Sequence, residues 1–208
     1  MPGKLAELTD EFRAVALQRQ GALDALLPPT AFVVVNAAWG LLPAAIAALG
    51  LAGVIALWRL ARRQPTRYAL SGLALGAVAA GSALILGRAE GYFLPGIASS
   101  LLTALVALGS AIARRPLVAW TSALARGWPL EWYWHARVRP AYTEVTLFWA
   151  AYYALEAAAQ AALYARGDAR ALALFQTLSG WPALIALLAF SYLYGLRRLR
   201  ALAGPSVD

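Results

Sequence analysis

The run LLPPTAFVVVNAAWGLLPAAI, residues 26–46, holds three prolines, one amide and no charge. It can cross a membrane once, cross it twice, or dip in and return. The fold of the chain turns on which. Pro43 suits the first turn of a helix, where a missing N–H leaves no bond unmade. Trp39 and Gly40 then form a tight turn between two helices. Pro28 and Pro29 are harder to place. A helix starting at the pair would leave about ten residues, roughly 15 Å at about 1.5 Å each. A full crossing therefore requires helix upstream, from about residue 22, with a kink at the prolines whose freed backbone groups find protein or water partners.

The composition places this run in lipid. The 208 residues are 62% hydrophobic and 13% charged, against roughly 45–50% apolar and 25% charged in a soluble domain. Windows of about 20 mostly apolar residues, the length that crosses about 30 Å of hydrocarbon, fall at residues 22–39, 41–60, 69–87, 92–113, 141–165 and 171–196. The expected fold is all-α, a polytopic integral membrane bundle of about six transmembrane helices with amphipathic interfacial helices. Residues 1–21 read as a cytoplasmic amphipathic segment, 22–200 as the membrane domain and 201–208 as a cytoplasmic tail. Lys4, Glu7, Asp10, Glu11, Arg13 and Arg19 deny the first 22 residues the apolar core of a cleavable signal peptide.

Cations choose between the threadings. With six crossings and a cytoplasmic N-terminus, only Arg88, Arg166 and Arg170 face outward, and Lys and Arg divide 15 to 3. If the opening run does not cross, Lys4, Arg13 and Arg19 move outside and the division falls to 12 to 6. Cytoplasmic loops carry the excess of Lys and Arg, so six spans and two cytoplasmic termini are expected. A local repeat agrees: Pro43 precedes Arg62-Arg63 by 19 residues and Pro95 precedes Arg114-Arg115 by the same 19, with Trp181-Pro182 and Arg197-Arg198 a looser copy. The net charge of +8 would suggest nucleic acid in a soluble protein. Here the arginines cluster at span ends, and no nucleic-acid partner is expected.

Two segments should lie on the membrane surface. Leu5, Leu8, Phe12 and Val15 recur at helical spacing. Residues 116–139 set Trp120, Trp128, Trp132 and Trp134 among Arg126 and Arg137, the mixture that favours the headgroup layer and could serve as a cytoplasmic interface for a partner. Gly72, Gly76 and Ala80 on the third span, and Ala154, Ala158 and Ala162 on the fifth, are small-residue ridges suited to close helix contact. Trp149, Tyr152, Tyr153, Glu156 and Gln160 form another face of the fifth span, which should point into the bundle.

Several chemistries are excluded. His135 is the one histidine and Lys4 the one lysine, and there is no cysteine. A hydrolase triad has no suitably placed base, a retinal-type Schiff base has no buried lysine, and a bis-histidine haem has too few ligands. No phosphate loop or metal-ligand spacing appears, so no catalytic residue, metal or cofactor is expected. The remaining intramembrane polar site is Asn36, Glu156, Gln160 and Gln176, with Glu156 paired to Asn36, Gln160 or Gln176. Arg88 and Glu90 form an outer ion pair or a headgroup site. Glu144 should pair with Arg137 at the cytoplasmic boundary.

NAAWGLLPAAIAALG (36–50), GRAEGYFLPGI (87–97), RRPLV (114–118) and the span after Pro140 resemble, in that order, an uncharacterised family of bacterial six-span membrane proteins, a domain of unknown function. The resemblance covers roughly residues 22–198. More distantly, that family is similar to the intracellular septation protein A group. The resemblance implies a multi-pass protein of the bacterial cytoplasmic membrane with an envelope or division role, and no reaction. A non-enzymatic protein supporting envelope or membrane-complex assembly is the first expectation, partnered by the bilayer, by other membrane proteins or by its own copies. A small transporter or channel with an outward polar vestibule is the second, and a lipid-binding or lipid-modifying protein the third. Reporter fusions at Leu5 and after Leu202 should both be active only on the cytoplasmic side; opposite sides for the two would remove the six-span threading.

Overall fold

The computed structural model describes residues 19–63 and 66–198. The expected N-terminal amphipathic helix and the C-terminal tail lie outside these residues. Among them the secondary structure is helical throughout: α1 (Arg19–Trp39), α2 (Leu41–Ala61), α3 (Thr66–Leu86), a 3₁₀ turn (Ala89–Phe93), α4 (Leu94–Ile112), α5 (Leu117–Arg126), α6 (Leu130–Trp134), α7 (Arg139–Ala165), α8 (Ala169–Ser179) and α9 (Trp181–Arg198). The chain forms two compact units. One holds the described residues up to Pro95 together with Gly167–Thr177, the other Gly96–Arg166 with the described residues from Leu178 onward.

The opening run is two helices. α1 continues through Pro28 and Pro29, and the turn into α2 is Gly40 alone, at φ +86°, a conformation that costs a side-chain-bearing residue about 1 kcal/mol or more. α1 packs on α2 and α2 on α3. The contact face of α2 is Ala44, Ala45, Ala48, Ala52 and Ala56, all buried, while Leu42, Ile46, Val54 and Leu57 are exposed. A water-soluble helix would bury the large side chains. This inverted arrangement, methyls inward and branched chains outward, suits a helix bathed in acyl chains that gains from close backbone approach. α4 repeats it, with Ala104, Ala107 and Ala111 buried and Leu101, Leu105 and Leu108 exposed.

Three helical stretches are long and apolar enough to cross a membrane: Leu41–Ala61, Ala89–Ile112 and Ala169–Gly195, of 21, 24 and 27 residues. Leu26–Trp39 and Leu70–Leu86 are shorter apolar helices. The third stretch is divided at Gly180 into α8 and α9, where one continuous helix was expected. α7 has 27 residues and ample length, but Glu144, Glu156, Gln160 and four tyrosines dilute it. Six spans are therefore not what length and apolarity alone establish.

The first unit closes around aromatic rings. Phe32 of α1 stacks on Tyr92 at 4.2 Å between centroids and meets Phe93 edge-on at 6.5 Å. Gln176 of α8 donates to the Phe93 carbonyl at 3.2 Å. Asp168 caps α8 by accepting from the Ala171 N–H at 2.9 Å, the usual work of an aspartate at that position. Of the expected α3 ridge, Ala80 is fully buried and a Cβ on Gly76 would touch Ala52 at 3.4 Å, but Gly72 meets nothing within 4 Å.

The 3₁₀ turn lies directly on α3. A Cβ at Gly91 would stand 2.9 Å from the Ala83 Cα and 3.0 Å from the Ser82 carbonyl oxygen, and neither backbone atom can swing aside. Gly91→Ala should therefore destabilise the detergent-solubilised protein by about 1–3 kcal/mol, the usual cost of overpacking. Gly50→Ala, with open space at its Cβ, should leave the melting temperature unchanged or raise it. Equal melting temperatures for Gly91→Ala and wild type would show that the turn does not seat on α3.

Candidate functional site

α7 organises the second unit. Its buried stripe is Val145, Thr146, Trp149, Ala150, Glu156, Ala157 and Gln160, with Tyr152 and Tyr153 half-buried. The alanine ridge of Ala154, Ala158 and Ala162, expected to make close helix contact, is exposed. Hydrogen bonding decides the rotation: a carboxyl and a carboxamide turned outward would forfeit their partners in the protein, whereas an outward alanine face strands no polar group. The Trp149 indole donates to Ser191 Oγ at 2.9 Å, and the Tyr152 hydroxyl donates to the Ser179 carbonyl at 2.8 Å. Together they tie α7 to α9 and to the end of α8.

The partner of Glu156 is Ser100. Gln160 Nε2 donates to Ser100 Oγ at 3.3 Å, and Ser100 Oγ donates to Glu156 Oε2 at 3.2 Å. Ser100, Glu156 and Gln160 are 8%, 9% and 1% exposed. The bonds run in one direction, amide to hydroxyl to carboxylate, so the serine joins two groups that do not bond each other directly. Gln160, expected as a direct partner, enters one step removed. Asn36, half-buried on α1, and Gln176 belong to the first unit, and Gln176 binds the Phe93 carbonyl. Among the described residues no cluster of three His, Cys, Asp or Glu side chains suits a metal ion.

Glu144 does not pair with Arg137. It accepts a short hydrogen bond from the Tyr194 hydroxyl, and Arg198 Nη2 stands 3.5 Å from its other oxygen. α9 lies alongside α7, whereas Arg137 precedes α7 and is exposed. His135 is also exposed, and its Nδ1 accepts from the Arg137 N–H at 3.3 Å. In the first unit, Arg88 Nε stands 3.5 Å from Glu90 Oε2, and Glu90 is mostly buried beside Gly167.

Residues 116–139 form a folded platform. Pro116 and Pro129 precede α5 and α6, and Gly127 at φ +68° ends α5 with its N–H on the Ala123 carbonyl. Two N–H groups at the start of α5, which have no partner inside their own helix, are taken up from outside. Leu117 donates to Ser110 Oγ at 2.9 Å and Val118 to Thr146 Oγ1 at 3.2 Å. Tyr133 is fully buried with Ala119 and Ala123. Its hydroxyl lies 3.3 Å from Ser122 Oγ, which is 3.5 Å from the Tyr142 hydroxyl. Burial pushes the Tyr133 phenol above its ordinary pKa of 10.0, so this knot stays uncharged.

Around the knot the tryptophans hold one another. Trp128 and Trp132 pack edge to face at 5.0 Å, and Trp120 and Trp134 lie 5.7 Å apart. The guanidinium of Arg115 sits 4.6 Å over the Trp134 ring and that of Arg126 sits 5.2 Å over Trp128. The sequence suggested the aromatic and basic mixture but not these two stacks, nor Ser100 and Ser122 as hydrogen-bond junctions. A serine one turn from an alanine face was the available signal, and it is a weak one.

Glu156→Gln preserves shape and hydrogen bonding, whereas Glu156→Leu leaves the buried Ser100 hydroxyl without its acceptor. Melting of purified protein should show Gln close to wild type and Leu lower by about 1–3 kcal/mol, the cost of stranded buried polar groups. A Leu variant as stable as wild type would mean that the chain Gln160, Ser100, Glu156 holds nothing together.

Residues 18–201 match a family described as "Protein of unknown function (DUF3159)", and the chain belongs to that family. No curated protein and no solved structure matches it significantly.

Proposed function

We propose that this member of a family of unknown function is a non-enzymatic, six-span protein of the bacterial cytoplasmic membrane that supports envelope or membrane-complex assembly. Both termini and residues 116–139 face the cytoplasm, as the 15 to 3 division of cations favours. The envelope role is what the resemblance drawn from the sequence to the intracellular septation protein A group would imply. The observation that carries the reading is the platform. A connecting loop between two helices needs only length and polarity, yet this segment has its own buried tyrosine, hydrogen-bonded to Ser122 and ringed by tryptophans. Trp120 and Leu124 remain exposed on its outer surface, Leu124 at 89%. A rigid surface of that kind is built to be touched.

A transporter or channel is the second reading, and the buried carboxylate of Glu156 favours it. Ionisable groups within spans are costly, and they mark ion or substrate paths more often than ordinary packing positions do. Complementation separates the two. In cells lacking the protein, wild type and Glu156→Gln should restore septum and envelope morphology, whereas Trp120→Ala combined with Leu124→Gln, two exposed positions, should not. The reverse pattern, with the Glu156 variant inactive and the surface variant active, would transfer the proposal to transport.

A further inference from the structure

α4 ends at Ile112, the end of a stretch long and apolar enough to cross a membrane. Arg114 and Arg115 follow at once and lead through Pro116 into α5. The platform therefore begins within a few residues of a membrane boundary. Its outward features are of two kinds. Trp120 and Leu124, one helical turn apart, expose 48% and 89% of their surface. Arg114, Arg115, Arg126 and Arg137 are exposed as well, and none forms an ion pair with a described carboxylate. The segment's one acidic residue, Glu131, is exposed.

Two of the arginines are already oriented. Arg115 lies over Trp134 and Arg126 over Trp128, at 4.6 and 5.2 Å, and both indoles are fixed in turn by ring contacts with Trp120 and Trp132. A guanidinium held over an indole face by cation–π attraction still has N–H groups to offer a second partner. Planar forks of this kind match phosphate oxygens in a bidentate manner. Apolar Trp120 and Leu124 would enter the acyl boundary while the two forks remain at headgroup depth, the division of labour of an interfacial amphipathic helix.

We propose that the α5–α6 platform is a recognition surface for anionic phospholipid, with Arg115 and Arg126 gripping headgroup phosphates and Trp120 and Leu124 inserted beside them. The inference rests on the cytoplasmic-surface reading of residues 116–139 and names the partner of that surface. Charge complementarity selects this occupant: the inner leaflet carries the negative lipid, and each surface Lys or Arg there contributes about 1 kcal/mol, close to a fivefold preference. Zwitterionic lipid offers the same acyl chains without the net charge.

The test uses the full-length protein, purified in neutral detergent and mixed with equal amounts of phosphatidylglycerol and phosphatidylcholine of identical chains. Bound lipid is counted by native mass spectrometry. Wild type should retain phosphatidylglycerol over phosphatidylcholine by at least about fivefold. Arg115→Gln with Arg126→Gln should bring the ratio near one, while Arg166→Gln, an exposed arginine that the cation division assigns to the opposite face, should leave it unchanged. Arg115→Lys with Arg126→Lys keeps the charge and loses the planar fork, and its ratio should fall between. Circular dichroism of each variant confirms the helical fold. A wild-type ratio near one, or a glutamine double variant with the wild-type ratio, overturns the lipid assignment. If the wild-type ratio is near one and the same double variant still fails to restore envelope morphology, the assembly reading survives and the surface takes a protein ligand instead. A wild-type preference that the double variant loses without effect on morphology supports the lipid site and counts against the assembly role.

Discussion

Hydrocarbon offers no hydrogen bonds, and the structure follows from that single deprivation. Each backbone group must be satisfied within its own helix or by a neighbouring side chain, and each polar side chain must turn toward another. The helix junctions show the first demand. The N–H groups that open α5 go to Ser110 and Thr146. The rotation of α7 shows the second. Its carboxyl, carboxamide, indole and phenol groups share one side and are spent on Ser100, Ser191 and the Ser179 carbonyl, and the alanines take what is left.

That rotation explains where sequence reasoning succeeded and where it failed. Two helix starts were legible, because Pro43 and Pro95 lie in the first turns of α2 and α4, where a missing N–H leaves no bond unmade. The turn at Gly40 was legible for a related reason: a positive φ in a one-residue connection leaves little choice but glycine. The faces of α7 were partly legible, since spacings of three, four and seven group Trp149, Tyr152, Tyr153, Glu156 and Gln160. Which helix those residues meet was not. Ser100 lies 56 residues from Glu156 in the chain, and Glu144 reaches 50 residues to Tyr194. Periodicity reports an angle about one axis and is silent on the neighbour at that angle. The small-residue ridge on α7 misled for the same reason, because GxxxG-like spacing marks only where a helix can be approached and there the polar face had the stronger claim, whereas on α3 Ala80 is buried and Gly76 lies against Ala52.

The platform illustrates a different limit. Interfacial tryptophans and arginines are recognisable from composition, but composition does not distinguish loose anchors from a built surface. The distinction lies in Tyr133. Its ring is fully buried although the segment around it is short, and Ala119 and Ala123 leave room for it on α5. With the ring seated and its hydroxyl beside Ser122, α6 is fixed against α5, and Trp132 and Trp134 are set at defined places on either side of it. The buried phenol thus reaches both arginine stacks: Trp134, under Arg115, follows Tyr133 directly, and Trp132, which precedes it, packs on the Trp128 that lies under Arg126.

The ends of α2 and α4 add a last piece of physical argument. Arg63 and Arg114 adopt φ +55° and +56°, the left-handed conformation in which glycine is at ease and other residues lose about 1–2 kcal/mol. At Arg114 the surrounding bonds are those of a Schellman closure: the Arg115 N–H reaches the Ser110 carbonyl at 2.9 Å and the Arg114 N–H reaches Ala111 at 3.1 Å. Gly87 closes α3 in the same manner, with the Arg88 N–H on the Ala83 carbonyl at 3.1 Å, and there the position does hold glycine. The geometry of the stop therefore does not ask for arginine. A cation beside the last carbonyls of a helix recovers about 0.3–1 kcal/mol through the helix dipole, and a cation at an anionic leaflet about 1 kcal/mol more. Under the lipid proposal for the platform the two terms together come to about 1.3–2 kcal/mol, of the order of the strain.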